Sequence, residues 1–417
     1  MFGVIKYRQK NLHFGCKNRL FNIVSYLFTT FPGLLHRLLP LNFYLCPITT
    51  KVIVLELPSN KTPLQIRQQL RQKIIHLKTS GFETLAMEIF RYQAANNPVY
   101  NQYISNLKID VNRIQRLTEI PFLPIQFFKH HLIRTGQAPM PLVTFESSGT
   151  TQRLSQHDTD TLLPVTTSRH ALFDAPLYTS VSTSIFEQHY GSLSDHHMLA
   201  LLPSYLERNN SSLVYMMNNF IDQTGSPYSG FYLNNAGEML ERLRFLAKNP
   251  DGRKVLLMGV TFALLDLAES GTDFSFLKKI PGLIIMDTGG MKGRRQELLR
   301  EEVHDILTNS FGVSKIHSEY GMTELLSQGY SSGDGLFVPG HTMRILLRDI
   351  NDPFSLYDHP VTGSKTGGIN AIDLANLDSC SFIETQDLGR FGNEPGTFYV
   401  MGRFDNSDIR GCNLMVL

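Results

Sequence analysis

The 417-residue sequence is poor in the features that mark several large protein classes. Its four cysteines, Cys16, Cys46, Cys380 and Cys412, are scattered and form no C-x-x-C pair. That argues against a disulfide framework or a thiolate zinc site, and for a reducing, cytoplasmic setting. The formal net charge is only +2, so no strong field draws the whole chain to nucleic acid or to a membrane. No G-x-x-x-x-G-K-[ST] phosphate loop, internal repeat or low-complexity tract is present. What remains is an ordinary soluble composition, 42% hydrophobic and 18% charged. The length suits two or three lobes or one large multi-layer domain.

Acidic residues are missing altogether from residues 1–55, which hold seven Lys/Arg; the first acid is Glu56. Phe21–Cys46 is rich in Leu, Phe and Ile, but His36, Arg37 and two prolines interrupt it. It is a poor match to the roughly 20 mainly apolar residues of a spanning helix, and no convincing cleavage site follows a clean apolar stretch. The extension reads first as disordered, or as a start assigned too far upstream. A membrane-surface anchor and a true signal are the lesser alternatives. The next methionine, Met87, already lies inside organised sequence.

Organisation begins near Val52. Thr62-Pro63 is an N-cap followed by a first-turn proline, predicting a helix to about Leu77. Phe82, Leu85, Ala86, Ile89 and Phe90 follow helical spacing with one buried face, and Asn96-Asn97-Pro98 ends the run. The proline-punctuated Ile120–Lys129 segment reads as core. From residue 141, short apolar runs (Met198–Leu202, Val255–Met258, Leu283–Met286) alternate with helical stretches. One such stretch, Arg295–Asn309, carries a stripe of Leu298, Leu299, Val303, Ile306 and Leu307 before a stop at Gly312. The alternation predicts an α/β fold with parallel sheets covered on both faces. After Gly335 the chain turns Gly/Asp/Thr-rich, with short strands at Phe382–Glu384 and Thr397–Val400. The expected divisions are a 1–55 extension, a 56–335 α/β core and a 336–417 β-rich lobe.

Five segments carry candidate chemistry. Ser147-Ser148-Gly149-Thr150-Thr151 surrounds a glycine with hydroxyls; such a loop supplies close donors to phosphate oxygens, or is simply a solvated loop. In Tyr320-Gly321-Met322-Thr323-Glu324, the tyrosine offers an aromatic face and Gly321 a close approach. Thr323 offers a hydroxyl, and Glu324 a hard oxygen for Mg²⁺. The plainer reading is a strand-to-helix turn in which Thr323 caps and Glu324 favours the helix dipole. Asp287-Thr288-Gly289-Gly290 follows an apolar run; glycines at the carboxyl end of a strand are either a ligand crevice or a tight turn. Asp387, after Phe382-Ile-Glu-Thr-Gln, and Arg403, in Gly402-Arg403, suit ribose and nucleotide contacts or a surface ion pair of little worth. Cys412, five residues from the C-terminal residue, is a small hydrophobe or a nucleophile helped by Arg410.

In this order these segments resemble the adenylate-forming superfamily of acyl-CoA synthetases and luciferase-like ligases. More narrowly, the chain is similar to LuxE-type acyl-protein synthetases over roughly residues 80–417. The narrower likeness rests on Ile89–Tyr100, Ile120–Lys129, Leu201–Arg208 with Ser211–Val214, and Ile409-Arg-Gly-Cys-Asn413. The resemblance implies the large N-terminal domain of the adenylate-forming fold, with the 147–151 loop on the β- and γ-phosphates of ATP. It places Gly289, Gly290, Tyr320 and Gly321 at the adenine, Thr323 at the α-phosphate, Glu324 on Mg²⁺, and Asp387 on the ribose with Arg403 nearby. Cys412 becomes the acyl acceptor. Two departures stand out. Thr151-Gln-Arg-Leu-Ser lacks the lysine that usually follows the phosphate loop, with Arg153 a candidate to stand in for it and that substitution left open. The mobile C-terminal lid and its lysine are also absent, as in the LuxE-type proteins. The implied activity is ATP-dependent activation of a fatty acid and its transfer to Cys412, for delivery to an acyl reductase or other acceptor protein. The alternatives are a ligase with an external thiol such as coenzyme A, and a non-catalytic scaffold partner.

Overall fold

The computed structural model describes residues 61–137, 140–147, 167–203, 208, 210–289, 298–360 and 366–404. Local signals start the helices. Thr62 accepts from the Gln65 amide while the Gln65 side chain accepts from the Thr62 amide, a reciprocal cap that opens α1 (Pro63–Ile75). The apolar stripe of α2 (Phe82–Asn96) is buried through Phe82, Leu85, Ala86, Ile89 and Phe90. Asn97-Pro98 ends α2 but also begins α3 (Pro98–Asn106), because the Asn97 side chain caps the Tyr100 amide at 3.1 Å. Strand β1 (Leu123–Pro124) and the short α4 (Phe127–His130) lie in the proline-rich run, where Ile120, Phe122, Leu123 and Phe128 are core.

The remaining elements alternate. They are β2 (Val143–Glu146), β3 (Arg169–Leu172), α5 (Ala175–Tyr190), β4 (His196–Leu201), α6 (Ser212–Thr224), β5 (Gly230–Phe231) and α7 (Ala236–Lys248). Next come β6 (Lys254–Val260), α8 (Thr261–Ala268), β7 (Ile284–Thr288), α9 (Arg300–Phe311) and β8 (His317–Tyr320). Strands then dominate: β9 (Gly329–Ser331), β10 (Leu336–Pro339), β11 (Met343–Arg348), β12 (Leu356–Tyr357), β13 (Gly367–Asp373), β14 (Phe382–Phe391) and β15 (Phe398–Arg403).

Among the described residues, one large sheet runs β12-β11-β13-β14-β15-β10-β9-β8-β7-β6-β4-β5, with β1 pairing parallel to β14. The β5-β4-β6-β7-β8 part is parallel, and pairing becomes antiparallel from β9 onward. The expected α/β class is therefore observed, and the β-rich composition after Gly335 coincides with the antiparallel part. Strands β4 and β7 are buried at every residue, and β6 at all but Lys254, as two-sided coverage requires. Met198–Leu202 packs in the core, and Leu213–Ile221 packs in or against it. The described residues from Thr62 onward belong to one compact unit; the extension lies outside the described residues. Among the described residues no helix is long and apolar enough to cross a membrane.

One helix corrects the sequence reading. Helix α9 begins at Arg300, and Leu298 and Leu299 are exposed rather than part of the stripe. Leu299 stands at the cap position, where its amide donates to the Glu302 carboxylate at 2.9 Å. Val303 and Leu307 carry the buried face, and Gly312 ends the helix in the left-handed region at φ 66°.

Ion pairs tie the front helices to the sheet. Asp174 caps α5 through the Leu177 amide and also receives Arg71 at 2.6 Å and Arg67 at 3.2 Å. Arg67 reaches on to Asp378 at 2.5 Å. These carboxylates are nearly buried and hydrogen-bonded on more than one oxygen, the condition under which a buried pair avoids a net desolvation penalty.

Candidate functional site

Strands β2 and β3 form a two-stranded antiparallel ladder in which Phe145 faces His170 and Glu146 faces Arg169. The ladder closes beyond its last pair. The Ser147 amide donates to the Ser168 carbonyl and the Ser168 amide donates to the Ser147 hydroxyl, both at 3.0 Å. The hydroxyl-rich run is thus carried on the long connection of a hairpin, and both roots are fixed. Ser148, Gly149, Thr150 and Thr151 lie outside the described residues, as do Arg153, Gly290 and Cys412.

The root meets the second motif. The Ser168 hydroxyl is near enough to the Glu324 carboxylate to favour its charged form. Glu324 is buried, and burial pushes its carboxyl above the usual range; the Ser168 hydroxyl and the Arg403 charge oppose that shift, and the Asp387 charge adds to it. The main chain around it is suspended by side chains. The Thr323 carbonyl accepts from His170 Nδ1 at 2.9 Å, and the Glu324 carbonyl from Asn376 Nδ2 at 2.8 Å. Asp373 receives the Leu326 and Ser327 amides at 2.7 and 3.0 Å. No helix follows: residues 321–328 are a turn leading into β9. The strand-to-helix reading of Thr323 and Glu324 is therefore wrong. The backbone donors that a helix N-terminus would need partners for are claimed instead by the Asp373 carboxylate.

The fourth motif, Asp387 with Arg403, is one cross-strand pair. Asp387 lies inside β14, not after it, directly opposite Arg403 of β15. Arg403 Nε donates to Asp387 Oδ1 at 3.1 Å, and the Tyr320 hydroxyl donates to Oδ2 at 3.0 Å. The Tyr320 ring is nearly buried, edge-on to Phe398 with centroids 5.4 Å apart and tilted against Phe337 at 5.9 Å. Burial first, and then the Asp387 charge, holds its phenol well above the ordinary value, so it stays a donor. Asp387 is held chiefly at its inner face, while Arg403 opens to solvent.

Gly289 follows β7, one residue past the Thr288/Glu319 pair in the parallel register, so Gly289 and Tyr320 leave the sheet side by side. A Cβ on Gly289 would meet no heavy atom within 4 Å, whereas one on Gly321 would strike the Glu319 carboxylate. Gly289 therefore tolerates a close neighbour more readily than Gly321 does. Both follow the carboxyl ends of parallel strands, beside the switch to antiparallel pairing, the place where open α/β sheets take ligands.

Sequence reasoning gave Asp287, Ser318 and Glu319 no role of their own. In the structure they form a buried polar knot. The Ser318 hydroxyl donates to Asp287 at 2.5 Å, His304 Nε2 stands 3.5 Å from the same carboxylate, and Thr288 donates to Glu319 at 2.8 Å. Burial raises the Glu319 carboxyl to about 7 despite the Thr288 bond, while His304 helps hold Asp287 low. Ser168 and His170 were also missed. The signal for the first was its position as the far root of the hydroxyl-rich loop.

No family model and no curated protein matches this chain. Among solved structures it is similar to coronafacic acid ligase from Pectobacterium brasiliense, at 16% identity and a TM-score of 0.37. The overlap covers 54% of this chain and 43% of that ligase, so the chain spans less than half of its neighbour's length. At that overlap the neighbour's chemistry is its own, and the site stands on the geometry above.

Proposed function

We propose that this chain activates a carboxylic acid as its adenylate at the expense of ATP, and that the acid is a fatty acid carried onward as a thioester on Cys412. One observation supports the reading above all. Segments as distant in sequence as Ser168, Glu324, Asp387 and Arg403 act on one another electrostatically or through hydrogen bonds. A folding role alone does not call for two carboxylates, an open guanidinium and the root of a hydroxyl-rich loop at the end of a parallel sheet.

In the first step a carboxylate oxygen of the acid attacks the α-phosphorus. The α–β phosphoanhydride bond breaks, and pyrophosphate leaves with the bonding electron pair. Asp387 would accept from the ribose hydroxyls on its outer lone pairs, with Tyr320 and Arg403 holding it in place. The Thr323 hydroxyl would meet the α-phosphate, and the 147–151 donors the leaving phosphates. Magnesium supplies charge neutralisation to the phosphates when bound. Glu324 is the residue to hold it, and a single carboxylate with substrate oxygens and water is an ordinary Mg²⁺ set. In the second step the Cys412 sulfur attacks the acyl carbon, AMP leaves and the thiol proton passes to solvent. A partner such as an acyl reductase would then take the acyl group.

The test is ATP–pyrophosphate exchange dependent on an added carboxylic acid. Exchange with fatty acids is expected; none with any acid ends the reading. Labelled fatty acid and ATP should leave hydroxylamine-labile label on the protein that vanishes in Cys412→Ser. Label that persists moves the acceptor elsewhere, and product only with added coenzyme A makes the acceptor external.

A further inference from the structure

His170 does no chemistry in that scheme, yet it is buried and both ring nitrogens are engaged. Nδ1 lies 2.9 Å from the Thr323 carbonyl and Nε2 lies 3.0 Å from the Ser379 hydroxyl. A carbonyl can only accept, so Nδ1 carries the proton and Nε2 accepts from Ser379. Ser379 is itself anchored, its carbonyl receiving Asn97 at 2.9 Å and Thr135 at 2.5 Å. The ring is further fixed by Phe128, which meets it edge-on with centroids 5.5 Å apart. His170 therefore cannot turn without giving up a bond at each end.

Its place in the chain gives this a consequence. His170 is two residues beyond Ser168 on β3, so the two side chains share a face of the ladder. The Ser168 hydroxyl acts on the Glu324 carboxylate, and His170 grips the Thr323 main chain. We propose that His170 is a positioning residue that locks the root formed by Ser147 and Ser168 to the Thr323–Glu324 turn. That root and the Glu324 carboxylate then keep one fixed spacing. The role rests on the adenylation reading, but the mechanical tie does not.

Two variants separate the bonds. In His170→Asn the amide nitrogen falls near the Nδ1 position and can donate to the Thr323 carbonyl; in His170→Gln it falls near Nε2 and cannot. We expect His170→Gln to lower kcat/KM in pyrophosphate exchange on the order of 10²-fold, the usual consequence of about 1 Å of misplacement. The loss should fall mainly on kcat and on KM for MgATP, with KM for the acid unchanged. His170→Asn should recover most of it at a matched thermal midpoint. Equal activity of the two variants at matched midpoints overturns the proposal. If the unaltered protein shows no pyrophosphate exchange with any acid, the adenylation reading falls, and amide hydrogen exchange decides the tie alone. Joint loss of protection at 143–147 and 322–326 in His170→Gln but not in His170→Asn supports it. Unchanged protection in both overturns it.

Discussion

Two carboxylate clusters sit on neighbouring parts of the same sheet and are built on opposite principles. On β14, Asp387 has a full cation opposite it, Arg403, whose side chain is 68% exposed, while Asp387 itself is 8% exposed. On β7 and β8, Asp287 and Glu319 are both buried, and the neighbours holding Glu319 are a hydroxyl and another acid. A carboxylate paired with a solvent-facing cation has its counter-charge beside it on the exposed side. A buried acid beside another acid keeps its proton instead. The first arrangement suits recognition, and the second suits the inside of a fold.

The sharpest way to break this contrast is at Glu324, which is buried like Glu319 yet shares the influence of Arg403 with Asp387. If it is a metal-holding group, Glu324→Gln keeps the shape but removes the charge. Pyrophosphate exchange should fall on the order of 10³-fold, comparable to losing one main electrostatic stabiliser. The fold should be at least as stable, because a buried carboxyl with a raised pKa disfavours the charged form. Exchange rates and a urea midpoint on one preparation check both halves.

Glu319 gives the opposite signature. Its folded pKa of about 7 lies above the ordinary 4.5, so between these values the folded state binds more protons than the unfolded one. Stability is then greatest at low pH and falls as pH rises through this window, by roughly 3 kcal/mol in all. Glu319→Gln should flatten this slope, because its amide oxygen can still accept from Thr288. Urea midpoints at pH 5 and pH 8 test it; a variant with the full slope of the unaltered protein assigns the proton elsewhere. Asp387→Asn should do less to stability and more to ligand. Losing a charged acceptor for two ribose hydroxyls should weaken MgATP on the order of 10-fold to 10²-fold, with the thermal midpoint nearly unmoved.

How far these clusters could be read beforehand follows from what local sequence encodes. Thr62-Pro63, the Phe82–Phe90 stripe and the run Val255–Met258 were legible because capping and periodicity act within a few residues. Leu298 and Leu299 misled for the same reason: they fit the period, but the Glu302 side chain closes the cap after them. The Thr323–Glu324 turn was misread because Asp373, far along the chain, takes the amides that a helix would have left open. His170 was invisible, since its two partners are 153 and 209 residues away. The motifs themselves were legible because a ligand's demands impose residue types in short runs. The hydrogen bonds holding those runs in register come from unremarkable positions.

The smallest effect expected is at Arg403, and it sharpens the contrast from the exposed side. Arg403→Lys keeps the charge but loses the planar fork that donates Nε–H to Asp387. An exposed ion pair contributes about 1 kcal/mol or less, so the thermal midpoint should barely move. Its function depends on whether Arg403 only screens Asp387 or also orients it. Charge alone would leave KM for MgATP within about twofold, because the lysine ammonium still faces the carboxylate. Orientation would raise KM several-fold, toward the value for Asp387→Asn, because Asp387 would then be steered by the Tyr320 hydroxyl alone. The double variant separates the two: additive losses mean independent contacts to nucleotide, and a loss no larger than that of Asp387→Asn means that Arg403 acts through the carboxylate.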